Sequence, residues 1–294
     1  MTDKNISPSQ FLGELNEARL SSGCGTEGDF GLSSGNTLCL MERVMSRGGV
    51  VLDGGRRYAA AAALATAVGL AVIPDAYAAV EVGPGSTCTS LTIGSGGGDS
   101  IMSVYSGGIA NDTTINFSGT QSVYSNGSAI GTTISSGGRQ YIYDNGYAIG
   151  TTISSGGQQN VYSNGVASGT TISSGGVQSV YSNGSAVGTT INSAGWQYVS
   201  ANGSAVGTII NDGGHQNVLD NGSAVGTNIY NSGYQSVYSE GSAIGTTVNS
   251  GGNQYLLDGG SAINNTVSSG GSILVSGTVN MAGDNIVYDG GELK

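Results

Sequence analysis

Basic residues are scarce in this chain of 294 residues: eight Lys and Arg stand against nineteen Asp and Glu, a formal net charge of −11. Beyond Arg57 the only cationic side chains are Arg139 and Lys294, and His215 is the sole histidine. Nucleic-acid binding needs several Lys or Arg to neutralise phosphates, so nucleic acid is excluded as a partner. The acidic balance favours solubility and weak repulsion from anionic membranes. Cysteine is nearly missing as well. Cys24, Cys39 and Cys88 are too few and too scattered for a disulfide framework or a zinc site. None of them falls within residues 98–271, so that segment must be held by backbone bonds and packing. What abounds instead is glycine, 54 residues of it, but without the Gly-X-Y period of collagen. A Gly- and Ser-rich chain also suggests a disordered linker. Yet charged residues make up only 9% and hydrophobic ones 37%, and the hydrophobic ones recur at fixed intervals, which a linker has no reason to maintain.

Long apolar runs are absent but for one. Arg56-Arg57 precedes a stretch of mostly Ala, Val and Leu at 58–73, then Pro74, Asp75 and the small-residue pattern Ala76-Tyr77-Ala78. A basic flank, a short apolar core and an A-x-A site describe a secretory signal peptide at 56–78. The run is shorter than the ~20 residues a membrane span needs. Residues 1–55 read as an extended leader or a mis-assigned start, since Met41 and Met45 could each open a shorter signal peptide. Arg56-Arg57 also matches a twin-arginine signal, though its surroundings fit poorly. Residues 79–97 are expected to form an N-terminal cap.

The body of the chain is an internal repeat. Gln121, Gln140, Gln159, Gln178, Gln197, Gln216, Gln235 and Gln254 follow one another at a spacing of nineteen. Two residues after each comes an aliphatic, from Val123 to Leu256. The same register gives Ala129 and its equivalents, Thr132 and its equivalents, and Ile134 and its equivalents. Constant positions alternate with variable ones, which is the period of a strand, and the glycines oppose helix. Gln, Val, Ala, Thr and Ile therefore share an inward face. Asn126-Gly127, Gly131 and Gly137-Gly138 mark three corners, Asn and Gly being tolerant of positive φ.

These features predict an all-β fold, a right-handed parallel β-helix (solenoid) of about nine 19-residue turns over 98–271, with three short strands per turn. Right-handedness is the default for parallel crossovers, and successive turns would bond ~4.8 Å apart. A buried Gln column costs free energy unless its amides are bonded; a ladder from turn to turn supplies the bonds. The glutamines are thus expected to be structural. The period fails after Gly271, where Ser272-Ile273-Leu274 lacks the Gln. Residues 285–291 look like a repeat beginning again. Segment 272–294 reads as a degenerate turn and C-terminal cap, or as the start of a truncated continuation.

The pattern G-G-x-Q-x-V, then A, then T-x-V/I, shown well by Gly157-Gln158-Gln159-Asn160-Val161-Tyr162-Ser163-Asn164-Gly165, resembles the passenger repeats of AIDA-type bacterial autotransporter adhesins. The extended, displaced signal peptide is similar to theirs. The resemblance covers roughly 98–271. It implies an exported, surface-displayed or secreted β-helical passenger that promotes adhesion or self-association, meeting host or bacterial surface glycans or proteins. It further implies O-glycosylation of Ser and Thr with heptose by an autotransporter heptosyltransferase. The chain departs from the family where no series of alternating ~10-residue strands with aromatic girdles follows Gly271. A fragment, an orphan passenger and a secreted form all stay open.

No catalytic, metal or cofactor residues are expected. Carboxylate catalysis on sugars needs two acids ~5–9 Å apart. Asp144, Asp220 and Asp258 share a column, but the nearest two are two turns apart. Asp212 and His215 read as solvated corner residues. Calcium-binding glycine repeats need an Asp in every turn, and none recurs. A polysaccharide-active β-helix enzyme and a flat-faced ice-binding solenoid remain the alternatives, the latter weakened where Ile209 and Asn228 break the Thr column. Outward, Tyr124, Tyr143, Tyr162, Tyr181 and Tyr238, interrupted by Ser200, Leu219 and Leu257, form either a self-supporting stack or a binding stripe. The glycan acceptors implied by the resemblance are Ser125, Ser163 and Ser182; Thr133, Thr152, Thr171, Thr190 and Thr247; and Ser135, Ser154 and Ser173. Strict alternation would turn Ser125 inward, and only the Asn-Gly corner frees it. The N-glycosylation sequons at Asn126, Asn183, Asn202 and Asn221 are better explained as corners.

Overall fold

The computed structural model describes residues 30–32, 38–40, 79–94, 101–135 and 137–294. The expected signal peptide at 56–78 and nearly all of the leader lie outside the described residues. Phe30–Leu32 pairs antiparallel with Leu38–Leu40. From Ala79 onward the chain is a parallel β-solenoid. One turn consists of a four-residue strand, a three-residue strand and a two-residue strand, as in Thr120–Val123, Ser128–Ile130 and Thr133–Ile134. Stacking makes three parallel sheets of twelve, eleven and eleven strands, here the long-, middle- and short-strand sheets. Every pairing sets like position on like position: Gln140 lies between Gln121 and Gln159, and Ala148 between Ala129 and Ala167.

Eleven complete turns are present and Glu292–Leu293 opens a twelfth, two more than the glutamine spacing led us to expect. The extra turns are those that have lost the marker residues. Ala79–Val82, Thr87–Thr89 and Thr92–Ile93 form a whole first turn, with Val80 in the Gln column and buried Cys88 in the Ala column. At the other end Ser272–Val275 continues the long-strand sheet with Ile273 in the Gln column. The period then slips from nineteen to twenty, so that Ile286 pairs with Thr266. Residues 285–291 are therefore the short strand and third corner of the eleventh turn, and not the beginning of a repeat.

The interior is a set of columns. Val123, Ala129, Ile134 and their equivalents are all but inaccessible to solvent, each contributing apolar burial at roughly 25 cal/mol per Å². The Gln column is equally buried and every Gln is bonded. Each Nε2 donates to the Oε1 of the Gln in the preceding turn at 2.6–2.7 Å, from Gln140 through Gln254. The neighbouring Thr column closes the network: Thr132 Oγ1 donates to Gln121 Oε1 at 3.2 Å and accepts from Gln140 Nε2 at 3.2 Å. An amide has two N–H donors and two acceptor lone pairs, and at Gln140 this arrangement uses all four. Both ends are capped. Gln121 Nε2 finds Thr113 Oγ1 and the weakly accepting Met102 Sδ. Gln254 Oε1 accepts from Nδ2 of Asn265, whose own Oδ1 accepts from the Thr246 backbone.

The corners obey two separate constraints, where the sequence suggested one. In the first, the Gly127 N–H donates to the Tyr124 carbonyl at 3.0 Å, and positive φ falls on Ser125 (+53°) and Asn126 (+64°). This is the geometry of a type I′ turn. Gly127 is needed for space: a Cβ there would lie 2.5 Å from the Val104 carbonyl oxygen of the turn below. In the second corner Gly188 has φ +64° and open space around it.

Two predictions follow from this packing. Gln178→Leu strands Gln159 Oε1, Gln197 Nε2 and Thr189 Oγ1, at a cost of about 1–3 kcal/mol; a thermal melt unchanged or raised by the substitution contradicts the ladder account. Gly184→Ala drives a Cβ to 2.2 Å from the Val161 carbonyl oxygen and should cost about 3 kcal/mol or more. Gly188→Ala meets only left-handed backbone strain, about 1 kcal/mol. Denaturant titration should rank the two in that order, and equal losses would contradict the close-approach argument.

Candidate functional site

The inward positions are filled and their polar groups satisfied, so recognition must use the outer columns. The tyrosine column leaves the long-strand sheet at its first corner. Tyr124, Tyr143, Tyr162 and Tyr181 stack with ring centroids 5.1–5.2 Å apart and planes within 24° of parallel. Tyr105 closes the lower end edge-on, at 4.4 Å and 84°. Such contacts between aromatic neighbours stabilise beyond their buried area. Inside the column the ring faces cover one another, so what it offers solvent is ring edges and hydroxyls. Tyr238 stands apart beyond Ser200 and Leu219. Burial raises the hydroxyl pKa of Tyr143, Tyr162, Tyr181 and Tyr238, and that of Tyr124, where burial and then the Tyr105 hydroxyl raise it further.

A second aromatic cluster escaped the sequence reading. The position preceding Gln varies from turn to turn, and in three successive turns it is Trp196, His215 and Tyr234, paired in register. The His215 ring lies 4.1 Å from Trp196 and 4.0 Å from Tyr234, with Tyr198 and Tyr255 alongside. His215 is thus a strand residue wedged between rings, not a solvated corner residue. It begins the strand His215–Val218, and strand side chains stack on their equivalents one turn away. Its Nδ1 is buried without a hydrogen-bond partner, and burial lowers its pKa. Asp212 remains at the third corner, exposed. The signal was the recurrence of ring-bearing residues at 196, 215 and 234.

None of the Ser and Thr positions singled out as acceptors is buried. Ser125, Ser182, Thr133 and Thr152 are exposed, and Ser135, Ser154, Ser163, Ser173, Thr171, Thr190 and Thr247 are half-buried. Positive φ at Ser125, Ser163 and Ser182 is what swings that column outward against strict alternation. Ile209 and Asn228 do occupy the Thr column in register, so the threonine array is interrupted. Asp258 is engaged by the Thr278 backbone N–H at 2.8 Å. Among the described residues, no three of His, Cys, Asp or Glu gather as a metal site.

Residues 138–195 match the family model described as "Adhesin of bacterial autotransporter system, probable stalk", AIDA. The crystal structure of the TibC-catalysed, hyper-glycosylated TibA fragment 55–350 is similar at a TM-score of 0.67 and 40% identity, over 75% of this chain and 82% of that one. The chain belongs to the AIDA-type autotransporter adhesins. No curated protein sequence matches it.

The half-buried tyrosines make a pH prediction. In the unfolded chain these tyrosines ionise near 10.0, whereas folded they hold their protons to higher pH. Their stabilisation is whole below pH 10 and is lost as pH rises past it toward the folded values. Ultraviolet titration should show the stacked tyrosines ionising above pH 10, with the melting temperature falling over the same range. The double variant Tyr143→Phe/Tyr162→Phe should blunt that fall. Simultaneous ionisation near pH 10 without loss of stability would contradict the assignment.

Proposed function

We propose that this chain is an exported, non-enzymatic adhesin passenger, displayed at the cell surface or secreted. It mediates adhesion and association between like rods, and its outward Ser and Thr columns accept heptose from an autotransporter heptosyltransferase. The observation that carries this reading is the division of every turn into a saturated inner face and an accessible outer one. Thr132 and its equivalents are bonded into the amide network, while Thr133, one residue on, is exposed. Supporting it, the TibA fragment that is 40% identical to this chain is hyper-glycosylated by TibC. The acceptors are Ser125, Ser163 and Ser182 at the first corner; Thr133, Thr152, Thr171, Thr190 and Thr247 on the short-strand sheet; and Ser135, Ser154 and Ser173 beside it. Export rests on the signal at 56–78. Surface glycans or proteins of the target meet the edges and hydroxyls of the tyrosine column.

Co-expression with an autotransporter heptosyltransferase should add mass in steps of one heptose. Peptide mapping should then find the sugar on the outward columns and leave Thr132 and Thr151 bare. An unchanged mass removes the acceptor role, and sugar on Thr132 overturns the facing of the strands.

A further inference from the structure

The outer face of the middle-strand sheet carries a second column that neither the tyrosine stripe nor the glycan acceptors account for. In eight successive turns the last residue of the three-residue strand is Ile130, Ile149, Ser168, Val187, Val206, Val225, Ile244 and Ile263, stacked in register. These are outward positions. Ile149 is 47% exposed, and Val187 and Val206 are 40% exposed. Where Ser168 breaks the column, Val166 two residues earlier puts an aliphatic back on the same face. A continuous aliphatic stripe therefore runs along eight turns, about 34 Å at the strand spacing.

Its borders are as telling as its content. On one side lies a column that is mainly serine, from Ser185 through Ser261. On the other side is the bare second corner, where the glycines at 150, 188, 207, 226 and 245 have nothing within 4 Å of an added Cβ. Beyond that is the Thr column. From Ser128 through Val267 neither the middle nor the short strands contain a single Asp, Glu, Lys or Arg. The acids of these turns are elsewhere: Asp144, Asp220, Glu240 and Asp258 are on the first corner, and Asp212 is on the third. In a chain of net charge −11, two copies repel each other on most approaches. This uncharged face is where they repel least.

We infer that the stripe is a lateral interface between two copies of this chain, related by a two-fold axis near Val225 that sets Val206 of one copy against Ile244 of the other. The pitch selects the occupant. Only another rod with the same turn spacing presents side chains that meet the stripe at every step over its unbroken part, Val187 to Ile263. A two-fold arrangement makes one patch complementary to itself. The part that the two-fold overlaps, Val187 to Ile263, is a ribbon of ~19 Å by ~15 Å and covers about 290 Å² on each copy, the size of a weak contact and not of a permanent dimer. Many rods on one surface would multiply it by avidity.

This inference rests on the self-association part of the proposed function. The test uses the full chain, unglycosylated, displayed on beads and examined separately by sedimentation velocity. Val206→Asp/Ile244→Asp should lower bead clumping and pairwise affinity at least about tenfold, with the melting temperature little changed, since both side chains point outward. Mixing that variant with Val206→Lys/Ile244→Lys should restore association between unlike copies. Wild-type beads that clump as strongly as the Asp variant overturn the stripe while leaving self-association standing. Loss in the Asp variant without rescue by the Lys partner overturns the second copy as occupant. Wild-type beads that never clump overturn the self-association reading itself.

Discussion

Parallel strands bonded in register put each side chain directly over its equivalent one turn away, ~4.8 Å off. That single constraint governs which residues the chain can use. Any side chain chosen for a column must tolerate a copy of itself as its nearest neighbour. Ala, Val and Ile do so by dispersion and burial. Like charges in directly opposed positions do not. Accordingly, no two acids of the first corner occupy the same position in adjacent turns: Asp220 and Asp258 are two turns apart, and Glu240 between them is displaced by one residue. The low content of charged residues, 9%, is a consequence of stacking more than a preference of surface chemistry.

The same constraint explains why one of the two polar inner columns is Gln. A carboxylate or an ammonium carries only acceptors or only donors when ionised and cannot satisfy its own copy. An amide carries both, and translation along the rod brings its donor onto the acceptor of the turn below. Thr is the natural companion, because its hydroxyl donates to the Gln of its own turn and accepts from the next. A ladder of this kind must end somewhere, and the ends are where the sequence changes: Met102 below Gln121, and Asn265 with Ile273 above Gln254. Placing Ile273 where a ninth glutamine would stand costs nothing polar, since Asn265 has already taken the last Oε1.

This is also why the middle of the stack could be read from the sequence and its ends could not. Gln every nineteen residues, with Val two beyond and Thr-x-Ile eleven beyond, declares the strands and their facing without further information. The terminal turns keep the backbone register but exchange the marker residues for Val80, Leu91 and Ile273, and the last turn slips by one residue before Ile286. A pattern search that follows side chains stops there, whereas the hydrogen-bonded ladder continues. The glycines mislead for a different reason. Gly127 and Gly131 look alike as letters, yet one serves close approach to a carbonyl and the other a left-handed backbone. Only three dimensions separate those requirements. His215 was misplaced because its environment is made by residues nineteen positions away on either side.

Once the interior is fixed, the exterior is free to differ from face to face. Between Ser128 and Val267 it divides into a long-strand face rich in rings, a first corner that carries four of the five acids, and a middle-strand face without charge. The stacked tyrosines consume their own ring faces, and that limits what they offer a partner to edges and hydroxyl groups. The aliphatic stripe has no such internal partner, because Val and Ile one turn apart touch along the column and still leave their outer methyls to solvent. The acids do not leave this face untouched, because the first corner that carries Asp220, Glu240 and Asp258 is also one edge of the middle-strand face. Their repulsion across the rim reaches about a Debye length, ~8 Å, and opposes the contact that the methyl groups of the stripe make. A contact built this way stays weak between two rods and gains strength only from their number.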